Sequence, residues 1–107
     1  MATLDLPSCT SVLVTEDSRI VTVQLNSPAT KNALTRQTIA ELTALARALR
    51  AEPGVRAVIL RGSDAFFSAG ADLREADADR SQAEATLLDR RKAVLAGPDL
   101  CRAWEEI

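Results

Sequence analysis

The chain has 107 residues, of which 47% are hydrophobic and 26% are charged, and its net charge is -2. That length allows one domain with a modest core, because a chain of this size buries roughly 60 to 70% of its unfolded surface. The composition indicates neither disorder nor a membrane span. The slightly acidic balance also predicts no binding to nucleic acid or to an anionic membrane.

Missing residue types exclude several kinds of catalytic site. The sequence has no histidine and no tyrosine, which rules out His-based triads and bases and the commonest metal ligand, so we expect no metal site. Cys9 and Cys101 are far apart and outside any metal-ligand spacing, which predicts ordinary thiols in a reducing compartment. The first ten residues lack the apolar run of a signal peptide, which favours the cytoplasm.

Two strands are the first predicted elements. Residues 11–16 and 19–25 are rich in β-branched side chains, and the polar residues 16–18 between them predict a turn. An antiparallel hairpin is therefore expected. Alternation in the second strand places three apolar side chains on the core: Val21, Val23 and Leu25.

A loop and an amphipathic helix follow the hairpin. Pro28 disfavours helix at the residue before it, so residues 26–32 are predicted to leave the sheet as a loop. From Thr35 to Ala51 the apolar residues recur at helical spacing. The arginines of this helix are either a solvated face or a binding patch: Arg36, Arg47 and Arg50.

Residues 55–60 have the nearly continuous hydrophobicity of a strand that is buried on both faces. The segment after it, residues 66–73, joins this strand to a predicted helix. Ligands bind at such junctions, since the first amides of a helix are unpaired donors, here near Gly70 and Ala71. Alternatively, Gly70 only supplies a positive φ angle and the alanines around it pack tightly.

The sequence after this junction is polar and then helical. Asp72, Glu75 and Asp79 share one helical face, where they form either a carboxylate or metal site or a solvated first turn. A capping box at residues 81–84 predicts the start of a second long helix.

Glycine and proline at residues 97–98 predict an interruption or a kink in that second helix. Trp104 is predicted to be an anchor in the core or in an interface, with partners that this short chain does not supply. No typical helix-ending residue follows, so we expect a truncated protein.

Two motifs together resemble those of the crotonase superfamily, the enoyl-CoA hydratase and isomerase family. They are Asn-x-Pro-x-x-x-Asn-Ala-Leu at residues 26–34 and Phe-Ser-Ala-Gly-Ala-Asp-Leu at residues 67–73. The resemblance runs from about residue 11 to the end of the chain. It implies an α/β fold of the crotonase-like ββα spiral type. Residues 1–107 would then be the N-terminal part of a single domain.

The resemblance also implies an acyl-CoA thioester substrate, as in fatty acid metabolism, with coenzyme A as part of the substrate and no separate cofactor. The family stabilises an enolate oxyanion with two backbone N–H groups, and the first would be that of Ala71. The carbonyls of Ala69 and Ala71 would accept from the adenine amino group. The implied substrate- and CoA-binding residues are Lys31, Ala33, Leu34, Ala69, Gly70, Ala71, Asp72 and Leu73.

The sequence departs from the family pattern in one respect. The second oxyanion donor lies in a later Gly-rich segment, and the catalytic carboxylates lie in or beyond it, but this sequence has no Gly-Gly pair. The chain alone is therefore expected to be half a site without activity, within an enzyme that assembles as trimers or dimers of trimers. Two alternatives stay open: a noncatalytic fragment that binds CoA or packs against a partner, and an unrelated small α/β binding module.

Overall fold

The computed structural model describes residues 6–74 and 87–107. Within them, a three-stranded sheet is formed by β1 (Val12–Asp17), β2 (Ile20–Leu25) and β3 (Ala57–Arg61). Helix α1 (Arg36–Arg50) connects β2 to β3, and helix α2 (Leu87–Glu105) packs against α1. The chain is therefore of the predicted α/β class.

The predicted hairpin is confirmed, but its turn lies later in the sequence than expected. Residues 16 and 17 are the last residues of β1, and the turn is made by Ser18 and Arg19. Both turn residues have positive φ, 53° and 69°, which matches the twist of a two-residue hairpin. The Glu16 carboxylate accepts from the Arg19 N–H at 3.2 Å, and this bond helps to hold the unusual backbone conformation.

The core lies between one face of the sheet and the two helices. Alternation along β2 buries its predicted core residues almost completely. The cluster consists of Val12, Val21, Val23, Leu25, Leu42, Leu45, Leu49 and Leu100.

Helix α1 confirms the predicted helix to within one residue at each end. Thr35 is its N-cap, and the Thr35 hydroxyl accepts from the Thr38 N–H at 3.1 Å. The arginines at positions 36, 47 and 50 are exposed. Arg50 forms a 2.8 Å salt bridge to Glu106, which links the last turn of α1 to the end of the chain.

Strand β3 differs from its prediction because it is not buried on both faces. In the described structure Ile59 is 48% exposed and Leu60 38% exposed. The reason is position, because among the described residues β3 lies at an edge of the sheet and pairs only with β2, in parallel. Val58 does pack against the core cluster.

Helix α2 runs without interruption through Gly97 and Pro98, so the predicted interruption is wrong, and the alternative of a kink stays a prediction. Proline removes one intrahelical hydrogen bond, to the carbonyl four residues earlier. That residue is Val94, which is 74% exposed, so water can satisfy its carbonyl.

Trp104 is an anchor in the core, which confirms one of the two predicted alternatives, and its partners lie within this chain, contrary to the expectation. It is half-buried against the core cluster, and its indole Nε1–H donates to the Leu42 carbonyl at 3.1 Å. Ile107 lies beyond the end of α2 and is 41% exposed.

Candidate functional site

The two sequence motifs come together at one edge of the sheet. Strands β2 and β3 are parallel neighbours, so their carboxyl ends, at Leu25 and Arg61, lie at the same edge. The first loop, residues 26–34, leaves the sheet there, and the second loop, residues 62–72, leaves it beside the first. In α/β proteins this edge is where ligands usually bind.

The first loop is compact and has an unusual backbone. A single 3-10 turn spans Pro28–Thr30, and Lys31 and Asn32 after it both have left-handed backbones, with φ of 55° and 56°. Asn32 tolerates this conformation better than most residues. Its N–H donates to the Ser27 carbonyl at 2.9 Å and closes the loop.

The second loop folds back tightly on itself at Gly62. A Cβ atom at this position would overlap the Cα of Phe67 and the carbonyl oxygens of Phe66 and Phe67. Ser63 stabilises the turn, because its N–H and its hydroxyl both donate to the Phe66 carbonyl, at 2.9 and 3.1 Å. Glycine at position 62 is therefore required by a close approach of backbone to backbone.

Three backbone hydrogen bonds join the two loops side by side. The Ala69 N–H donates to the Lys31 carbonyl at 2.9 Å. The Leu34 N–H donates to the Gly70 carbonyl at 2.7 Å, and the Asp72 N–H donates to the Leu34 carbonyl at 3.2 Å. The last two bonds make an isolated parallel bridge between Leu34 and Ala71, outside the main sheet. We call the three bonds together the ladder.

The ladder determines the direction of the Ala71 peptide groups. Successive residues of an extended segment point their N–H and C=O groups to opposite sides. The Gly70 carbonyl and the Asp72 N–H are both bonded to Leu34, so the N–H and C=O of Ala71 between them point away from the first loop. Within residues 6–74 and 87–107 the Ala71 N–H has no hydrogen-bond acceptor.

Asn32 and Ser68 add side-chain bonds between the loops. The Asn32 amide is buried; its Nδ2 donates to the Phe67 carbonyl at 3.0 Å and its Oδ1 accepts from the Ser27 N–H at 2.8 Å. The Ser68 hydroxyl donates to the Asn32 carbonyl at 2.7 Å and accepts from the Gly70 N–H at 3.0 Å.

The sequence prediction assigned no hydrogen-bonding role to Asn32 or Ser68. Asn32 is the seventh residue of the 26–34 motif and Ser68 is the second residue of the 67–73 motif, and their presence in these motifs was the available signal. Which atoms they bond could not be read from spacing, because their partners lie on the other loop, 35 and 36 positions away.

The residues predicted to bind CoA differ in accessibility. Lys31, Ala69 and Ala71 are exposed, and Leu73 is 78% exposed. Gly70 is half-buried, with φ of +88°.

The remaining predicted binding residues are less accessible. Ala33 and Asp72 are buried, and Leu34 is half-buried against the core cluster. The Asp72 carboxylate accepts from the Arg74 N–H at 2.9 Å, which is the bond of a helix N-cap. The other two carboxylates of the predicted acidic face and the predicted capping box lie outside the described residues.

The clearest pKa shifts occur away from this edge. Burial alone would raise the pKa of the Glu41 carboxyl, but hydrogen bonds from the backbone N–H groups of Ser11 and Thr10 outweigh it and lower that pKa. Burial, reinforced by the Glu41 charge, raises the pKa of the Cys9 thiol. These groups tie the segment before β1 to α1.

The described ranges contain neither a metal-binding cluster nor a membrane-spanning helix. Residues 6–74 and 87–107 bring together no three His, Cys, Asp or Glu side chains that could hold a metal ion. Neither helix that the structure describes has the length and apolar character needed to cross a bilayer.

Comparison with known sequences identifies a family that matches most of the chain. The sequence profile of the enoyl-CoA hydratase/isomerase family matches residues 15–96. A protein named as a probable enoyl-CoA hydratase of Mycobacterium bovis is 39% identical over 79 residues, which are 74% of this chain and 30% of that protein. The chain thus spans about a third of the length of the relatives that it matches.

Solved structures agree with the sequence matches. The crystal structure of an enoyl-CoA hydratase from Mycobacterium smegmatis superposes with a TM-score of 0.73 and 33% identity, over 88% of this chain and 35% of that one. AtuE of Pseudomonas aeruginosa gives a TM-score of 0.78 with 29% identity, over 88% of this chain and 35% of that one. These matches confirm the predicted crotonase-like fold class.

Proposed function

Because the chain belongs to the enoyl-CoA hydratase/isomerase family, we propose that it binds acyl-CoA thioesters and holds the thioester carbonyl oxygen at the Ala71 N–H. The observation that carries this proposal is the direction of that N–H, which points away from the Leu34 ladder and has no acceptor among the described residues. Negative charge develops on the thioester oxygen when an enolate forms. A fixed N–H stabilises that charge without reorganising.

The surroundings of Ala71 suit the rest of the substrate. The Ala71 carbonyl points to the same side as its N–H and is available to the adenine amino group, as is that of the exposed Ala69. Lys31 lies across the ladder from Ala69, and its exposed ammonium group provides positive charge for the CoA phosphates. Phe67 and Leu73 are 55% and 78% exposed on either side of Ala71 and offer apolar surface to an acyl chain.

We further propose that this chain by itself binds the thioester without converting it. Removing one donor of an oxyanion hole costs about 100- to 1000-fold in rate, and a single amide is half of such a hole. Turnover would need a second N–H donor and carboxylates from additional sequence, in a cytoplasmic assembly of several subunits. Whether the reaction is hydration or isomerisation depends on those carboxylates.

The proposal is tested by NMR on the ¹⁵N-labelled chain, titrated with crotonyl-CoA and separately with free CoA. The Ala71 amide should shift markedly with the thioester and little with free CoA, because only the acylated ligand has a thioester carbonyl oxygen to accept from this N–H. The Leu34 amide, which is bonded to Gly70, serves as an internal reference and should move little. Equal shifts of Ala71 with both ligands, or no shift with either, would contradict the proposal.

The two lysines of the chain provide a matched pair for the phosphate contact. Lys31 lies at the site, whereas Lys92 is exposed on α2. Lys31→Ala should raise the Kd for free CoA about 3- to 10-fold, the effect of roughly 1 kcal/mol of charge interaction, and Lys92→Ala should leave it unchanged. Equal effects of the two variants in isothermal titration calorimetry would remove Lys31 from the site.

A further inference from the structure

Asn32 is bonded to both loops through its backbone and its side chain. Its side chain is only 2% exposed and spans the gap between the Ser27 N–H and the Phe67 carbonyl. Its own N–H bonds back to Ser27, and its own carbonyl accepts from the Ser68 hydroxyl. All the polar groups of this buried residue are therefore used, and they are divided between the two loops.

Ser68 extends this connection toward Ala71. The Ser68 hydroxyl receives the Gly70 N–H at 3.0 Å while it donates to Asn32. Gly70 is the residue with the left-handed φ of +88°, and its conformation sets the direction of the next peptide N–H, that of Ala71. A continuous path of hydrogen bonds thus leads from Ser27 through Asn32 and Ser68 to the peptide before the proposed donor.

We infer that Asn32 is a positioning residue that fixes the direction of the Ala71 N–H through Phe67, Ser68 and Gly70, an inference that rests on the proposed thioester site. The position makes three demands: a left-handed backbone, a side-chain acceptor for the Ser27 N–H and a side-chain donor for the Phe67 carbonyl. Glycine meets the first alone, and aspartate meets the first two. Asparagine has the smallest side chain that meets all three.

The test is Asn32→Asp, which keeps the shape and the acceptor but replaces the donor with a second oxygen facing the Phe67 carbonyl. Asn26→Asp is the matched control, because it adds the same charge to the same loop at an exposed position. Kd values for butyryl-CoA and for free CoA are measured by isothermal titration calorimetry. The readout is their ratio, because the charge added by either variant acts on the CoA phosphates of both ligands and cancels.

Asn32→Asp should reduce the preference for the thioester over free CoA about tenfold, while Asn26→Asp leaves the preference unchanged. Ser68→Ala removes only the later step of the path and should reduce the preference about threefold, which provides a second variant if Asn32→Asp folds poorly. If Asn32→Asp and Ser68→Ala each weaken the binding of butyryl-CoA and of free CoA by the same factor, Asn32 only supports the fold. That result would overturn the inference.

A ligand-free measurement separates this inference from the proposed function. The amides of Leu34 and Ala69 lie between the loops, so their hydrogen exchange reports the ladder directly. Asn32→Asp should accelerate both at least tenfold relative to Asn26→Asp. If the unmodified chain binds neither ligand, the proposed function fails, and the positioning role is then decided by exchange: faster exchange supports it and unchanged exchange overturns it.

Discussion

Replacing Gly62 with alanine should destabilise the protein and displace the loop that carries Ala71. The new methyl group would overlap backbone atoms of Phe66 and Phe67, not the flexible end of a side chain. Overpacking of this kind costs about 1–3 kcal/mol, and we expect the upper part of that range because the second loop must shift as a unit. A chain of this length has a free energy of unfolding of roughly 5–15 kcal/mol, so the loss is a large fraction of it.

Urea denaturation followed by circular dichroism measures this loss. With a slope of about 1–3 kcal/mol per molar urea, a loss of about 2–3 kcal/mol corresponds to a midpoint lower by roughly 0.7–3 M. Gly54→Ala is the control, because no described atom lies within 4 Å of the added Cβ and the φ of Gly54 is not left-handed. It should be neutral or stabilising by up to about 1 kcal/mol. An unchanged midpoint for Gly62→Ala would refute the reasoning.

The same substitution also tests the connection between the loops. Phe67 provides the carbonyl that accepts from the Asn32 amide, so a displaced Phe67 weakens that bond. Gly62→Ala should therefore also lower the preference for butyryl-CoA over free CoA. Gly70→Ala meets no described atom within 4 Å, but its φ of +88° should cost about 1–2 kcal/mol of backbone strain.

Three further substitutions or conditions have defined outcomes. The Glu41 carboxylate holds the N–H groups of residues 10–11 and its pKa is lowered, so its contribution to stability is present above the ordinary glutamate pKa of about 4.3. That contribution is lost as the pH falls below this value, so the urea midpoint of the unmodified protein should decrease there. The decrease should be smaller in Glu41→Gln. Trp104→Phe removes the hydrogen bond to the Leu42 carbonyl and should cost about 1 kcal/mol plus lost packing in urea denaturation. Gly97→Ala in α2 should raise the stability by about 0.5–1 kcal/mol in thermal denaturation, because alanine is the better helix former and no described atom obstructs the Cβ.

Each of these outcomes can contradict its reasoning. Equal pH dependence of Glu41→Gln and the unmodified protein would show that the carboxylate does not hold residues 10–11 in solution. A Trp104→Phe variant of unchanged stability would mean that the indole bond makes no net contribution. Destabilisation by Gly97→Ala would indicate that the helix requires glycine beside Pro98.

Local patterns in the sequence determined the elements that depend on neighbouring residues. The alternation of β2 fixed which face meets the core, because a one-residue slip would expose Val21 and Val23. Helical spacing and the cap at Thr35 fixed α1 almost to the residue. The two motifs were enough to identify the family, and they marked the edge of the sheet where they meet.

Tertiary structure alone decided how the site is built and which surfaces are covered. The exposure of β3 and the partner of Trp104 follow from which elements lie beside them, and sequence spacing carries no information on that. The direction of the Ala71 N–H depends on the hydrogen bonds to Leu34. The hydrogen bond from the Asn32 side chain to the Phe67 carbonyl joins residues that are 35 positions apart. Hydrogen bonds over such separations form only when the parallel pairing of β2 with β3 brings the two loops to the same edge.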